Sequence, residues 1–138
     1  MEKALDIQYI GEWLLPGNLG HLFTLISMVA ALFAAIGFYK AATTESTNQI
    51  ESQSWQRMAR IGFVLHAFSV VAIIFILFFL ILNHRFEYKY VWQHSSRSLP
   101  VYYMISCFWE GQEGSFLLWQ FWTAFLGLIL LRVAQTWE

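Results

Sequence analysis

Apolar and polar residues separate along this chain on the scale of whole segments. Residues 19–42 are apolar except for His21 and Lys40 near their ends. Residues 59–82 are apolar up to the polar run Asn83-His84-Arg85, and residues 115–134 up to Arg132. Each segment has the roughly 20 residues that a helix needs to cross a hydrocarbon core. The pattern predicts an all-α integral membrane protein with three transmembrane helices. Between and around them lie an N-terminal segment 1–18, a polar linker 43–58, a longer loop 83–114 and a short end 135–138. Pro16, Gly17 and Asn18 read as a turn before the first helix, with Asn18 as its N-cap. Ser115 reads as the N-cap of the third helix, since both side chains can accept from the first free amides.

The loop 83–114 has two halves. Phe86, Tyr88, Tyr90 and Trp92 alternate with Glu87, Lys89, Val91 and Gln93. That period of two predicts an extended segment with one aromatic face. After Pro100, the run Val-Tyr-Tyr-Met-Ile-Ser-Cys-Phe-Trp is apolar but too short to span, and it fits a short helix lying at the membrane interface. Glu110-Gly111-Gln112-Glu113-Gly114 then makes a turn.

Composition agrees with a membrane protein. Hydrophobic residues form 58% of the chain and charged residues 12%, about half the roughly 25% share of soluble domains. Net charge is −1, and no basic cluster points to nucleic acid. The single cysteine, Cys107, makes neither an internal disulfide, a thiolate zinc site nor a Cys-x-x-Cys-His haem attachment. The acidic start, with Glu2, Asp6 and Glu12 against Lys3, lacks the basic region and cleavage site of a signal peptide. Lys40, Arg57, Arg60 and Arg132 on the linker side balance Lys3, Arg85, Lys89 and Arg97 on the other, so the positive-inside rule does not decide orientation. The aromatic loop and the acidic N-terminus favour an outside location for both.

His66 lies about 10 Å into the second apolar segment at 1.5 Å per residue. An ionisable group at that depth needs a partner. Two readings stand: a neutral imidazole bonded to a neighbouring helix or subunit, or a cofactor or proton site. His84 and His94 lie in the loop without the Cys or carboxylate spacing of a closed zinc site, so no metal site is assigned. Trp92, Trp109, Trp119 and Trp122 suit interfacial anchoring. Trp109 and Trp119 also flank a helix start whose amides favour anions, where a flat ligand carrying carboxylates would stack on indole and meet Arg85, Arg97 or His94. Glu110 and Glu113 read as solvated residues before a helix N-terminus. No nucleophile arrangement surrounds Ser95, Ser96 or Ser115, and no catalytic residue is assigned.

The stretch from Phe86 to Trp122 resembles the N-terminal part of the CcmF-type cytochrome c haem lyases. The likeness is carried by Tyr90-Val91, His94-Ser95 and Leu99-Pro100. It continues through Trp109-Glu110-Gly111-Gln112-Glu113-Gly114-Ser115 and the following Leu117-Leu118-Trp119. Leu19-Gly20-His21 resembles the family's opening before its first helix. The resemblance implies a bacterial inner-membrane protein with the N-terminus and the second loop in the periplasm. It implies handling of haem brought by a carrier protein and attached to apocytochrome c. His94, Arg97, Trp109, Glu113, Gly114, Ser115 and Trp119 would face haem or a partner.

Two departures limit the likeness. Gln112 stands where the family has histidine, and an amide does not replace imidazole as an iron ligand. The family's Trp-rich haem-binding signature and later ligand histidines are absent from these 138 residues. The chain then corresponds to the first helices of a larger lyase, as a fragment, a truncated product or a subunit of a split enzyme. It would be inactive without the remaining helices or a C-terminal subunit. His66 has no counterpart in the family pattern. The competing expectation is a small structural subunit of a respiratory or other membrane complex, its aromatic residues serving as anchors in lipid.

Overall fold

The computed structural model describes residues 13–96 and 98–134. Five α-helices follow one another in them, with no strand among the described residues. Helix α1, Leu15–Thr44, begins ahead of the apolar segment. Pro16 sits in its first turn, where a preset φ helps and a missing N–H is harmless. Asn18 therefore lies inside the helix, its N–H donating to the Leu14 carbonyl at 3.0 Å, and it does not cap.

Helix α2, Gln49–Leu82, also starts early. Asn48 caps it by accepting from the Glu51 N–H at 3.3 Å, and Glu51 adds negative charge to the first turn. Much of the polar stretch before the second apolar segment is thus helical, and the connection from α1 shrinks to residues 45–48. Hydropathy marks where lipid can begin. Helix formation follows capping and the propensities of residues such as Gln, Glu and Arg. The 34 residues of α2 would reach about 51 Å, well beyond a hydrocarbon core of about 30 Å.

The short connection makes α1 and α2 antiparallel neighbours. Their contact is a seam of small residues: Ala30, Ala34, Gly37 and Ala41 on α1, with Ala59 and Gly62 on α2. A methyl group built on Gly37 would lie 2.9 Å from the Ala59 Cβ, so only glycine lets the backbones come this close. Such proximity is how membrane helices gain dispersion contact without a hydrophobic driving force. Ser52 closes the seam by donating to the Ala41 carbonyl at 2.9 Å.

Helix α2 ends in a Schellman turn. Arg85 N–H donates to Leu80 at 3.1 Å and His84 N–H to Ile81 at 3.2 Å. His84 occupies the left-handed position at φ 52°, where glycine is the usual residue.

Beyond this turn the loop is helical. Helix α3 is Lys89–His94 and α4 is Val101–Ser106, followed by a 3-10 turn, Cys107–Trp109. The alternating aromatics do not form an extended strand through Trp92. A run this short satisfies both periods, and the helical one wins because it buries Val91 completely (0% exposed). It also sets Tyr90 and His94 one turn apart on a shared face. Helix α5, Gln112–Ala134, starts within the predicted Gly-containing turn, so Ser115 lies in its first turns and is not its cap.

Helix α5 packs beside α2, with Gly127 against the Phe63 ring. Helices α1, α2 and α5 are each long and apolar enough to cross a membrane. The main buried cluster sits at the loop end of α2, where Leu80 and Ile81 meet Val91, Met104, Cys107 and Phe108. Phe78 and Phe108 stack there at 4.6 Å between ring centres.

Candidate functional site

Two tyrosines organise the loop. The Tyr88 hydroxyl donates to the Trp13 carbonyl at 2.7 Å and accepts from Gly17 N–H at 3.0 Å. It ties the loop to the start of α1, where the Arg85 guanidinium also lies 5.1 Å from the Trp13 ring centre. The Tyr90 hydroxyl donates to the Phe108 carbonyl at 2.7 Å, with the Cys107 carbonyl 3.3 Å away. This joins α3 to the 3-10 turn.

Glycine is required where Tyr90 meets α5. A methyl group on Gly114 would run into the Phe108 carbonyl and lie 2.6 Å from the Tyr90 hydroxyl oxygen. Gly111 is likewise buried beneath the rings of Tyr90 and His94. The Ser115 hydroxyl donates to the Trp109 carbonyl at 3.0 Å. The residues from Trp109 to Ser115 are therefore held in place by contacts with α3.

Electrostatics follow from this packing. Burial pushes the Tyr90 phenol above its ordinary value, with Glu113 and Glu110 adding to the effect and backbone amides at Gly111 and Gly114 opposing it. Burial likewise raises the Cys107 thiol, helped by Glu110. Both groups are held neutral, which suits a structural contact better than nucleophilic chemistry.

The predicted site residues divide among several settings. His94, Trp109, Gly114 and Ser115 converge on Tyr90 or on its neighbours. The His94 Nδ1–H donates to the Tyr90 carbonyl at 3.0 Å, because a carbonyl only accepts. Its Nε2 lies against Gly111. Glu113 is exposed and lines a groove, while Trp119 stands 75% exposed on α5. Arg97 lies outside the described residues.

His66 is set apart, about 21 Å along α2 from Leu80 at 1.5 Å per residue. It is 7% exposed. Its Nδ1 lies 2.9 Å from the Ser27 hydroxyl and 3.2 Å from the Ser27 carbonyl. Either placement of the proton keeps Nδ1 on Ser27, so the imidazole is bonded to the neighbouring helix. Among the described residues Nε2 has no hydrogen-bond partner.

A groove of about 1050 Å³ runs between α1, α2 and α5 from the loop to His66. Lys89, Gln93, Glu113 and Gln120 line it along with Ser27 and apolar residues. Its size lies at the upper end of the range for small-molecule sites. Lys89, Gln93 and Gln120 were not expected from the sequence, and neither was the organising role of Tyr90. Tyr90 belongs to a conspicuous motif, but its partner Phe108 stands 18 residues away. Among the described residues no three His, Cys, Asp or Glu side chains gather to hold a metal ion.

A stretch of 43 residues, 31% of this chain, is 42% identical to the cytochrome c-type biogenesis protein CcmF of Haemophilus influenzae. That stretch spans 7% of the relative. No family model and no solved structure matches the chain. The connection to cytochrome c biogenesis rests on this partial likeness. The fold itself establishes an all-helical protein with three helices able to span a membrane.

Proposed function

We propose that this chain is a cytochrome c maturation component corresponding to the N-terminal helices of a CcmF-type haem lyase. The observation that carries the reading is local. Residues that make the sequence resemblance, namely Tyr90, Val91, His94, Gly111, Gly114 and Ser115, also interlock as one loop structure. A partner-facing surface would then consist of the exposed rings around it, above all Trp92, Trp109 and Trp119. In this reading residues 1–18 and 83–114 are periplasmic, residues 43–58 cytoplasmic, and α4 lies at the interface of a bacterial inner membrane. The loop would shape the face where haem, its carrier and apocytochrome c meet.

This reading assigns no haem-iron ligand to His94 or to position 112. His94 bonds Tyr90 through one nitrogen and packs on Gly111 with the other, and position 112 is glutamine. Ligation and thioether chemistry would belong to the remaining helices or a C-terminal subunit.

Co-expression of this chain with that C-terminal part should restore holocytochrome c, read by haem-stained gels. Equal maturation by the C-terminal part alone would refute the role of a required subunit. Purified by itself, the chain should carry little haem. A stoichiometric Soret band abolished in His66→Ala would instead move the haem site into the groove.

A further inference from the structure

The groove between α1, α2 and α5 ends at a nitrogen that the fold leaves unused. His66 is 7% exposed and lines the groove. Among the described residues, the Ser27 hydroxyl has the His66 Nδ1, at 2.9 Å, as its one partner. Thr24 and Ser69, in neighbouring turns, instead donate their hydroxyls to the carbonyl four residues back, each at 2.9 Å. The Ser27 proton therefore goes to Nδ1, because the opposite arrangement leaves a hydroxyl without an acceptor between helices. That makes Nδ1 the acceptor and puts the imidazole proton on Nε2. Nε2 is not enclosed by protein and has no acceptor among the described residues, so its N–H presents a donor to the groove.

We infer that the groove binds a neutral, lipid-soluble molecule whose carbonyl oxygen accepts from His66 Nε2. Around Ser27 and His66 in sequence, the lining is Met28, Ala31, Leu32, Val70 and Ile73, which suits an apolar body. The charged lining residues, Lys89 and Glu113, stand at the loop end, on α3 and in the first turn of α5. A charged ligand group at the depth of His66 would thus meet no opposite charge in the lining. An acyl chain alone would fill the walls and leave the N–H without a partner. A second helix would bring backbone carbonyls already bonded within itself. A ligand carbonyl accepts the bond and adds neither charge nor donor. The inference is independent of any role in cytochrome c maturation.

The test uses the purified full chain in a neutral detergent. Methyl undecyl ketone, methyl laurate and tridecane are compared by the amount the protein retains over protein-free micelles. The ketone should be retained about five-fold better than the alkane, the worth of one net hydrogen bond. Its carbonyl stretch should gain a lower-frequency infrared band on binding. His66→Phe, which keeps a ring but no N–H, should abolish both the preference and the band. His21→Phe, outside the groove, should keep both. The ester arm separates two sources of the same group. Ester retained above the alkane supports the inference with a membrane glyceride as ligand, and ketone alone supports it with a lipid-soluble ketone. Equal retention of all three probes overturns the inference. So does a preference or band that survives in His66→Phe, or an equal loss in His21→Phe. If His66→Phe fails to fold, Ala31→Phe decides the matter, since it fills the wall one turn from Ser27 and leaves His66 in place. The lower-frequency band should then weaken, and an undiminished band overturns the inference.

Discussion

The seam between α1 and α2 and the knot around Tyr90 hold helices together by opposite means. The seam is built from the smallest side chains, and its polar contacts are few: Ser52 to a carbonyl and His66 to Ser27. The knot uses large rings and tyrosine hydroxyls, with glycines placed so that the rings fit. The difference follows from the surroundings. Between helices in lipid, close approach of backbones supplies the gain, because lipid tails are as apolar as leucine. At the loop end, amphipathic rings can bury their faces while their hydroxyls satisfy backbone carbonyls.

The comparison can be broken most sharply at Gly114. Gly114→Ala drives a methyl group into the Phe108 backbone, which cannot move independently of the 3-10 turn. It should destabilise the loop by about 3 kcal/mol or more, in the range of severe overpacking. The α1–α2 pair should survive. Limited proteolysis of the loop set against helical content by circular dichroism would read the two regions separately. The matching change in the seam, Gly37→Leu, should cost about 1–3 kcal/mol and lower the thermal midpoint while leaving loop proteolysis unchanged.

Smaller changes sharpen the same contrast. Tyr90→Phe removes the hydroxyl but keeps the ring, and should cost about 1 kcal/mol for the lost hydrogen bond. It also has a signature in pH. Because burial raises the Tyr90 phenol above 10.0, the fold favours its protonated form. Its contribution is complete below the ordinary tyrosine value and is lost as pH rises through the raised one. Alkaline melting should therefore contain a component that Tyr90→Phe lacks. Ser27→Ala should have the mildest effect, about 0.6 kcal/mol, as is usual for one hydrogen bond between membrane helices. A larger loss would mean that His66 depends on Ser27 for more than pairing.

The three spans were legible because length and composition alone separate them from their surroundings. Their ends were not. Asn48 starts α2 in polar sequence, where hydropathy carries no signal, α1 runs through the Pro16-Gly17-Asn18 stretch that reads as a turn, and Ser115 bonds backward to Trp109 from within α5. The extended reading of the aromatic run failed because its few alternating residues cannot separate a period of two from one helical turn. Of the candidate site, the Trp109–Ser115 stretch was conspicuous in sequence, yet its packing against Tyr90 depends on contacts 17 to 24 positions apart. For His66, burial and a need for a partner were readable. That Ser27 is the partner required the register of α1 against α2.

The buried Cys107 gives the loop a built-in clock. It is the chain's one thiol, enclosed by the same cluster that holds Phe108. At 4% exposure it is reached freely only when that cluster loosens, although it borders a surface crevice with Tyr103 and Trp109, and its raised titration slows reaction further. At limiting opening, the rate of thiol labelling counts how often the loop comes apart, without unfolding the helices. One unmodified side chain thus turns a packing detail into a measure of local breathing under native conditions.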